Sequence, residues 1–144
     1  ISERAPSWPE HLDGVIHGLT QAATAADLLR AATTAVCHRL ADILAQLETA
    51  IGRAKMIVAS GGILQSPASL QILADSLGRN LSPCRDQEAS LRGAAVYGLE
   101  QLEARVPAPK FRKQIVPHRA KAIETRKQRA RQKDLERLVS SWTR

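Results

Sequence analysis

KMIVASGGILQSPASLQILADSLG, residues Lys55 to Gly78, reads as a buried strand, a glycine turn and a capped helix. Met56, Ile57, Val58 and Ala59 form a short apolar run of the kind found inside a covered sheet. Ser60, Gly61 and Gly62 break it, and paired glycines let a flat ligand come close to the backbone. Ser66 followed by Pro67 is a strong helix start, with a hydroxyl N-cap and proline at the first helical position. Leu70, Leu73, Ala74 and Leu77 recur at helical spacing, and Gly78 supplies the stop. A strand feeding a glycine turn and a helix N-terminus is a plausible nucleotide or phosphate site. The stretch matches neither the dinucleotide fingerprint nor the Walker A pattern, so an ordinary strand-to-helix connection is the competing reading.

Working outward, the turn and helix acquire company. Ser60-Gly61-Gly62, Ser66-Pro67, Gln71 to Asp75 and Gly78 resemble the C-terminal domain of the FGGY carbohydrate kinases. The resemblance continues through Glu88-Ala89-Ser90 and Gly93-Ala94-Ala95. It reaches back to Glu3-Arg4-Ala5-Pro6, Trp8, Gly14 and Gly18-Leu19-Thr20, so it covers roughly Glu3 to Leu102 in unbroken order. Among family members the wording is most similar to gluconokinase-like sequences.

That resemblance implies an α/β fold, specifically part of an actin-like ATPase (RNase H-like) domain: the C-terminal half of an FGGY kinase, with a basic helix appended. It implies ATP with Mg2+ as cofactors and phosphoryl transfer to a sugar or sugar-acid hydroxyl, gluconate favoured. Gly61 and Gly62 would lie against the adenosine, Ser66 would hydrogen-bond the adenine, and Gln65 is a further candidate. Sugar contacts and the catalytic aspartate would belong to parts of such a kinase not in this chain, which alone would be inactive. Two departures stand out: Asp13 where the family often has arginine, and Ser69 where it often has tryptophan. They leave open a non-catalytic relative that keeps the fold for nucleotide binding or regulation.

At 144 residues the chain can bury one domain-sized core. It opens at Ile1 and not at methionine, which reads as a piece of a longer protein, a processed product or a trimmed form. No run approaches the eighteen or so apolar residues of a membrane span, and no signal-peptide pattern leads the chain. Cys37 and Cys84 lie far apart with no metal-type spacing and read as free thiols of a cytoplasmic protein. His11 and His17 read as solvated loop residues, and no metal site is expected.

Charge divides the chain. Lys110 to Arg144 holds twelve Lys or Arg against three acidic residues, a net of +9, whereas the remainder carries −2. This tail is the basis of a third reading, an adaptor that binds nucleic acid. Against it, no stacking aromatics interleave with the charges, and docking onto the domain is the favoured role. The division expected is 1–105 for the incomplete nucleotide-binding domain and 106–144 for a linker and basic helix.

Along the chain, Ile1 to Thr20 holds too many breakers for a helix, and Val15-Ile16 could enter a sheet as a short strand. Thr24 to Ile51 is the longest helix, capped by Thr24 with Asp27 three residues on. Its Leu29, Ala32, Val36, Leu40, Ile43, Leu47 and Ile51 form a stripe expected to face the core. Asp27, Arg30, Thr34, His38 and Glu48 fall on the other side. Asn80 to Cys84 is expected as a second, parallel strand, short or near an edge because of Pro83. Glu88 to Leu102 is a helix with small residues, Gly93 to Ala95, suited to close packing. Val106 to Pro117 reads as a linker or extended crossing segment. Arg119 to Trp142 is a basic helix with a partial apolar face of Ile123, Ala130, Leu135, Leu138, Val139 and Trp142. Apolar surface left uncovered on such a piece would favour self-association.

Overall fold

The computed structural model describes residues 14–86 and 88–142. Two parallel strands, β1 (Ile57–Ala59) and β2 (Leu81–Pro83), pair in the register Ile57 with Leu81 and Ala59 with Pro83. A 3-10 turn (Gly61–Gln65) and helix α2 (Pro67–Leu77) connect them, while α1 (Ala25–Ile51) precedes and α3 (Ala89–Gln101) and α4 (Arg119–Trp142) follow. The expected strand at Val15-Ile16 does not form, and both side chains stand exposed in coil together with His17. His11 and the residues before Gly14 lie outside the described residues.

The core forms where α2 covers the sheet. Leu64, Leu70, Leu73, Ala74, Ala59 and Leu81 bury together with Cys37 of α1, and Ile57, Ile63, Ile72, Leu77 and Ile115 pack around them. Each end of α2 is capped as its sequence predicts. Ser66 Oγ accepts the Ser69 N–H at 3.2 Å, and Gly78 adopts φ +61°, a left-handed conformation that a Cβ disfavours. Both cysteines are buried and free, and burial pushes the Cys37 thiol up to about 11.

Pro83 does not mark an exposed edge. It is fully buried, because the segment 111–115 runs antiparallel along the far side of β2. Leu81 and Ile115 exchange two hydrogen bonds, of 3.0 and 2.9 Å, and Arg85 N–H donates to Lys110 O at 2.9 Å. Pro83, between them in the alternation, has no N–H to offer, so the ladder breaks into isolated bridges. Residues 106–117 are thus an extended crossing segment tied to the sheet.

Helix α1 corrects the expected facing. Thr24 and Asp27 do form a reciprocal capping box. The leucine-valine stripe, however, turns to solvent, with Leu29, Val36, Leu47 and Ile51 at 72, 62, 51 and 82% exposure. Cys37, His38, Ala41 and Asp42 point inward instead. The reason is the neighbour: this face meets α2 and α4, and α4 offers polar groups. Arg129 Nε and Lys133 Nζ approach Asp42 Oδ1 at 3.5 and 2.7 Å, and His38 Nδ1 meets Gln132 Oε1 at 2.9 Å.

The basic helix docks, as expected, but not through the expected face. Ile123 and Leu138 are exposed, and of that stripe only Val139 is buried among the described side chains. Asp75, buried on α2, anchors the start of α4 by accepting the His118 N–H at 2.7 Å and Gln71 Nε2 at 3.0 Å. Helix α3 buries none of its residues, and a Cβ on Gly93 would meet nothing within 4 Å. The close packing expected around Gly93 to Ala95 is therefore missing among the described residues.

Candidate nucleotide site

Because β1 and β2 are parallel, the chain leaves both at the same edge of the sheet, from Ser60 and from Cys84 onward. Open α/β sheets bind ligands at that carboxyl edge. The β1 exit is the glycine turn. Ser60 is still extended (φ −147°, ψ 172°), and Gly61 then takes φ +77°, which reverses the chain into the 3-10 turn. Leu64 is buried and pins the turn to the core, while Ser60, Gly61, Gly62 and Gln65 remain exposed.

The two glycines differ in what the described structure asks of them. Positive φ alone accounts for Gly61. Gly62 has no positive φ, and a Cβ there would meet nothing within 4 Å. Neither conformation nor packing among the described residues demands glycine at 62. A bare backbone facing open space is what a closely approaching ligand would need.

Gly61, Gly62, Gln65 and Ser66 all lie on this turn and its junction with α2. Ser66 is less free than its sequence position suggests. Its hydroxyl oxygen accepts from both the Ser69 N–H and, at 2.9 Å, the Ser69 hydroxyl. Ser69, where the pattern often has tryptophan, thus becomes part of the cap.

The β2 exit adds residues that sequence reasoning missed. A shallow groove of about 470 Å³ is lined by Asp86, Glu88, Leu91, Arg92 and Ala95. Arg92 Nε lies 3.0 Å from Asp86 Oδ2, and its Nη2 donates to Pro107 O at 2.5 Å. The only sequence signal was an acid and an arginine flanking a helix start just after the second strand. Among the described residues no three His, Cys, Asp or Glu stand close enough to hold a metal ion.

Residues 1–101 match the profile of the C-terminal domain of the FGGY family of carbohydrate kinases. The chain belongs to this family. The glycerol kinases of Methylobacterium nodulans and Thermus brockianus are 33% identical over 95 residues and 36% identical over 92. Each alignment covers 63% of this chain and 19% of the relative. Among solved structures, a ligand-bound xylulose kinase from Lactobacillus acidophilus superposes with TM-score 0.84 at 19% identity, over 97% of this chain and 30% of that one. A gluconate kinase from the same organism gives 0.83, at the same identity and coverage. A Plasmodium falciparum glycerol kinase with ADP gives 0.63 at 20% identity, over 92% of this chain and 28% of that one.

The chain therefore spans about a fifth of the curated FGGY relatives it matches. The fold is the FGGY kinases' actin-like one, represented here by its C-terminal α/β part. The resemblance to gluconokinases does not single out gluconate, since xylulose, gluconate and glycerol kinases all appear among the similar proteins.

Proposed function

We propose that this chain is the nucleotide-binding part of an ATP-dependent carbohydrate kinase, a phosphotransferase acting on a sugar, polyol or sugar-acid hydroxyl. The observation that carries the proposal is Gly62, a glycine that nothing among the described residues requires, on an exposed turn at the carboxyl edge of the sheet. Adenosine would rest on the Gly61-Gly62 backbone, with Gln65 and Ser66 beside the base. Ser66 keeps only its own hydroxyl proton for this, because its oxygen already serves Ser69. When bound, ATP supplies the phosphoryl group, and Mg2+ would accompany its phosphates.

This chain's contribution is positioning, the larger part of phosphoryl-transfer catalysis. Among the described residues no aspartate is left free to serve as the general base. Each described aspartate is engaged: Asp27 in a cap, Asp42, Asp86 and Asp134 in ion pairs, and Asp75 with Gln71 and His118. The sugar contacts and the base therefore belong to the rest of such a kinase. Residues 1–105 make up the nucleotide-binding part and 106–144 the crossing segment and basic helix, in a cytoplasmic protein. No helix among the described residues is long and apolar enough to cross a membrane.

The experiment is sugar-dependent ADP release by the intact protein, comparing gluconate, xylulose, ribulose and glycerol. Turnover on one of them, with KM for ATP raised in Gly62→Asp and the fold unchanged, is the expected result. No turnover on any, with ATP still bound, would replace it with the non-catalytic relative. Salt-sensitive nucleic-acid binding that disappears without residues 110–144 would point to the adaptor.

A further inference from the structure

We infer that the seam between α1 and α4 is a pH-gated latch, closed while His38 is neutral and opened at the Gln132–Val139 end of α4 when His38 takes a proton. The geometry is that of a one-proton lock. His38 is 3% exposed, and its Nδ1 stands 2.9 Å from Gln132 Oε1, an acceptor, so Nδ1 carries the hydrogen. Gln132 Nε2 in turn donates to Glu136 Oε1 at 3.0 Å, which fixes the amide's orientation. The other ring nitrogen, Nε2, is buried with no partner among the described residues. A second proton there would add both a buried charge and an N–H with no acceptor.

The surrounding charges do not offset that cost. From α4, Arg129 and Lys133 face this region with both cations directed at Asp42 Oδ1, and Glu136 receives Arg39 Nη2 at 3.3 Å. From α1 itself come Asp42 and Arg39. Helix α2, packed against both, carries one charged residue, Asp75, which is committed to Gln71 and His118 at the far end of α4. Burial holds His38 below its ordinary value, outweighing the Gln132 hydrogen bond and Asp42, which both favour the charged imidazole, while Arg129 adds to the lowering. The undocked chain therefore binds the proton more readily than the docked one. Docking is complete above the ordinary histidine value of about 6.5 and weakens as pH falls below it.

The opposite end of α4 supplies an internal control. There Asp75 Oδ1 accepts the His118 backbone N–H at 2.7 Å, an anchor that does not use the imidazole. Acid should open one end of α4 and spare the other.

The test is amide hydrogen exchange in the intact protein from about pH 7.5 to about pH 5.5, corrected for intrinsic exchange. The expected result is loss of protection over residues 132–139 on acidification, with residues 119–122 and α2 unchanged. His38→Leu should abolish the response and His118→Asn should keep it. Constant protection in the native protein, or a response that survives His38→Leu, would overturn the latch. Should His38→Leu fail to fold, NMR titration of the native His38 imidazole decides: titration at or above the ordinary value also overturns it.

Discussion

Helices α2 and α1 carry apolar residues at the same spacing but dispose of them differently. Helix α2 buries Leu70, Leu73 and Ala74 at 5, 8 and 0% exposure, whereas α1 exposes Leu29, Val36, Leu47 and Ile51 and buries His38 and Asp42. The cause is placement. Helix α2 lies between two strands that it connects, so its apolar face meets the sheet it closes. Among the described residues helix α1 packs through one face, and what reaches that face from α4 includes Arg129, Gln132, Lys133 and Glu136. Periodicity shows which face of a helix needs cover. It does not show which neighbours a given stretch of chain can supply.

The largest test of that contrast is a pair of truncations. Leu81→Ala, at a fully buried position under α2, should cost about 3–5 kcal/mol of unfolding free energy in urea. Ile51→Ser, at the exposed end of the α1 stripe, should change this chain's stability by less than about 0.5 kcal/mol. Equal losses would mean that the stripe is covered, and the comparison would fail.

Next is the polar face of α1. Asp42→Ala leaves Arg129 and Lys133 without their counter-ion and should cost about 2 kcal/mol, below the ~3–5 kcal/mol of a fully buried pair because Lys133 is half-exposed. If the seam is held by apolar contact instead, the urea midpoint of this variant will hardly move.

The two kinds of glycine give a smaller effect. Gly78→Ala should destabilise by about 1 kcal/mol because φ is +61°, whereas Gly62→Ala should leave the thermal midpoint unchanged while weakening ATP binding in calorimetry. A Gly62→Ala protein that loses stability but keeps its affinity would return glycine 62 to an internal role.

The smallest effect concerns the end of α1 that grips the α2–β2 turn. Arg79 Nη1 bonds Glu48 Oε1 at 2.8 Å, and this bond, with the Ala54 N–H, holds the Glu48 carboxyl below its usual value. Its contribution is present at neutral pH and fades as pH drops through the lowered value. Glu48→Gln should therefore show a shallower acid-side decline in melting temperature than the native chain.

How much was legible follows the same divide. Ser66-Pro67, Gly78, Thr24 with Asp27, and the parallel second strand could be read because caps and short strands depend on a few adjacent residues. All four candidate site residues share one turn, since a turn is local as well. Arg92 and Asp86 went unread because only the parallel pairing brings the β2 exit to the β1 edge. The facing of α1 and α4 went unread because it depends on contacts more than ninety residues apart, such as His38 with Gln132.

The sequence by itself determined the four described helices, the two paired strands and the glycine turn, because each is set by backbone preference and spacing within a few residues. Its resemblance over about a hundred residues pointed to the family. Only the tertiary structure decided that Gly62 answers to nothing among the described residues and that α1 turns its polar face inward. Those outcomes depend on which groups arrive from distant parts of the chain. A buried Asp42 persists only where its partners on α4 satisfy it.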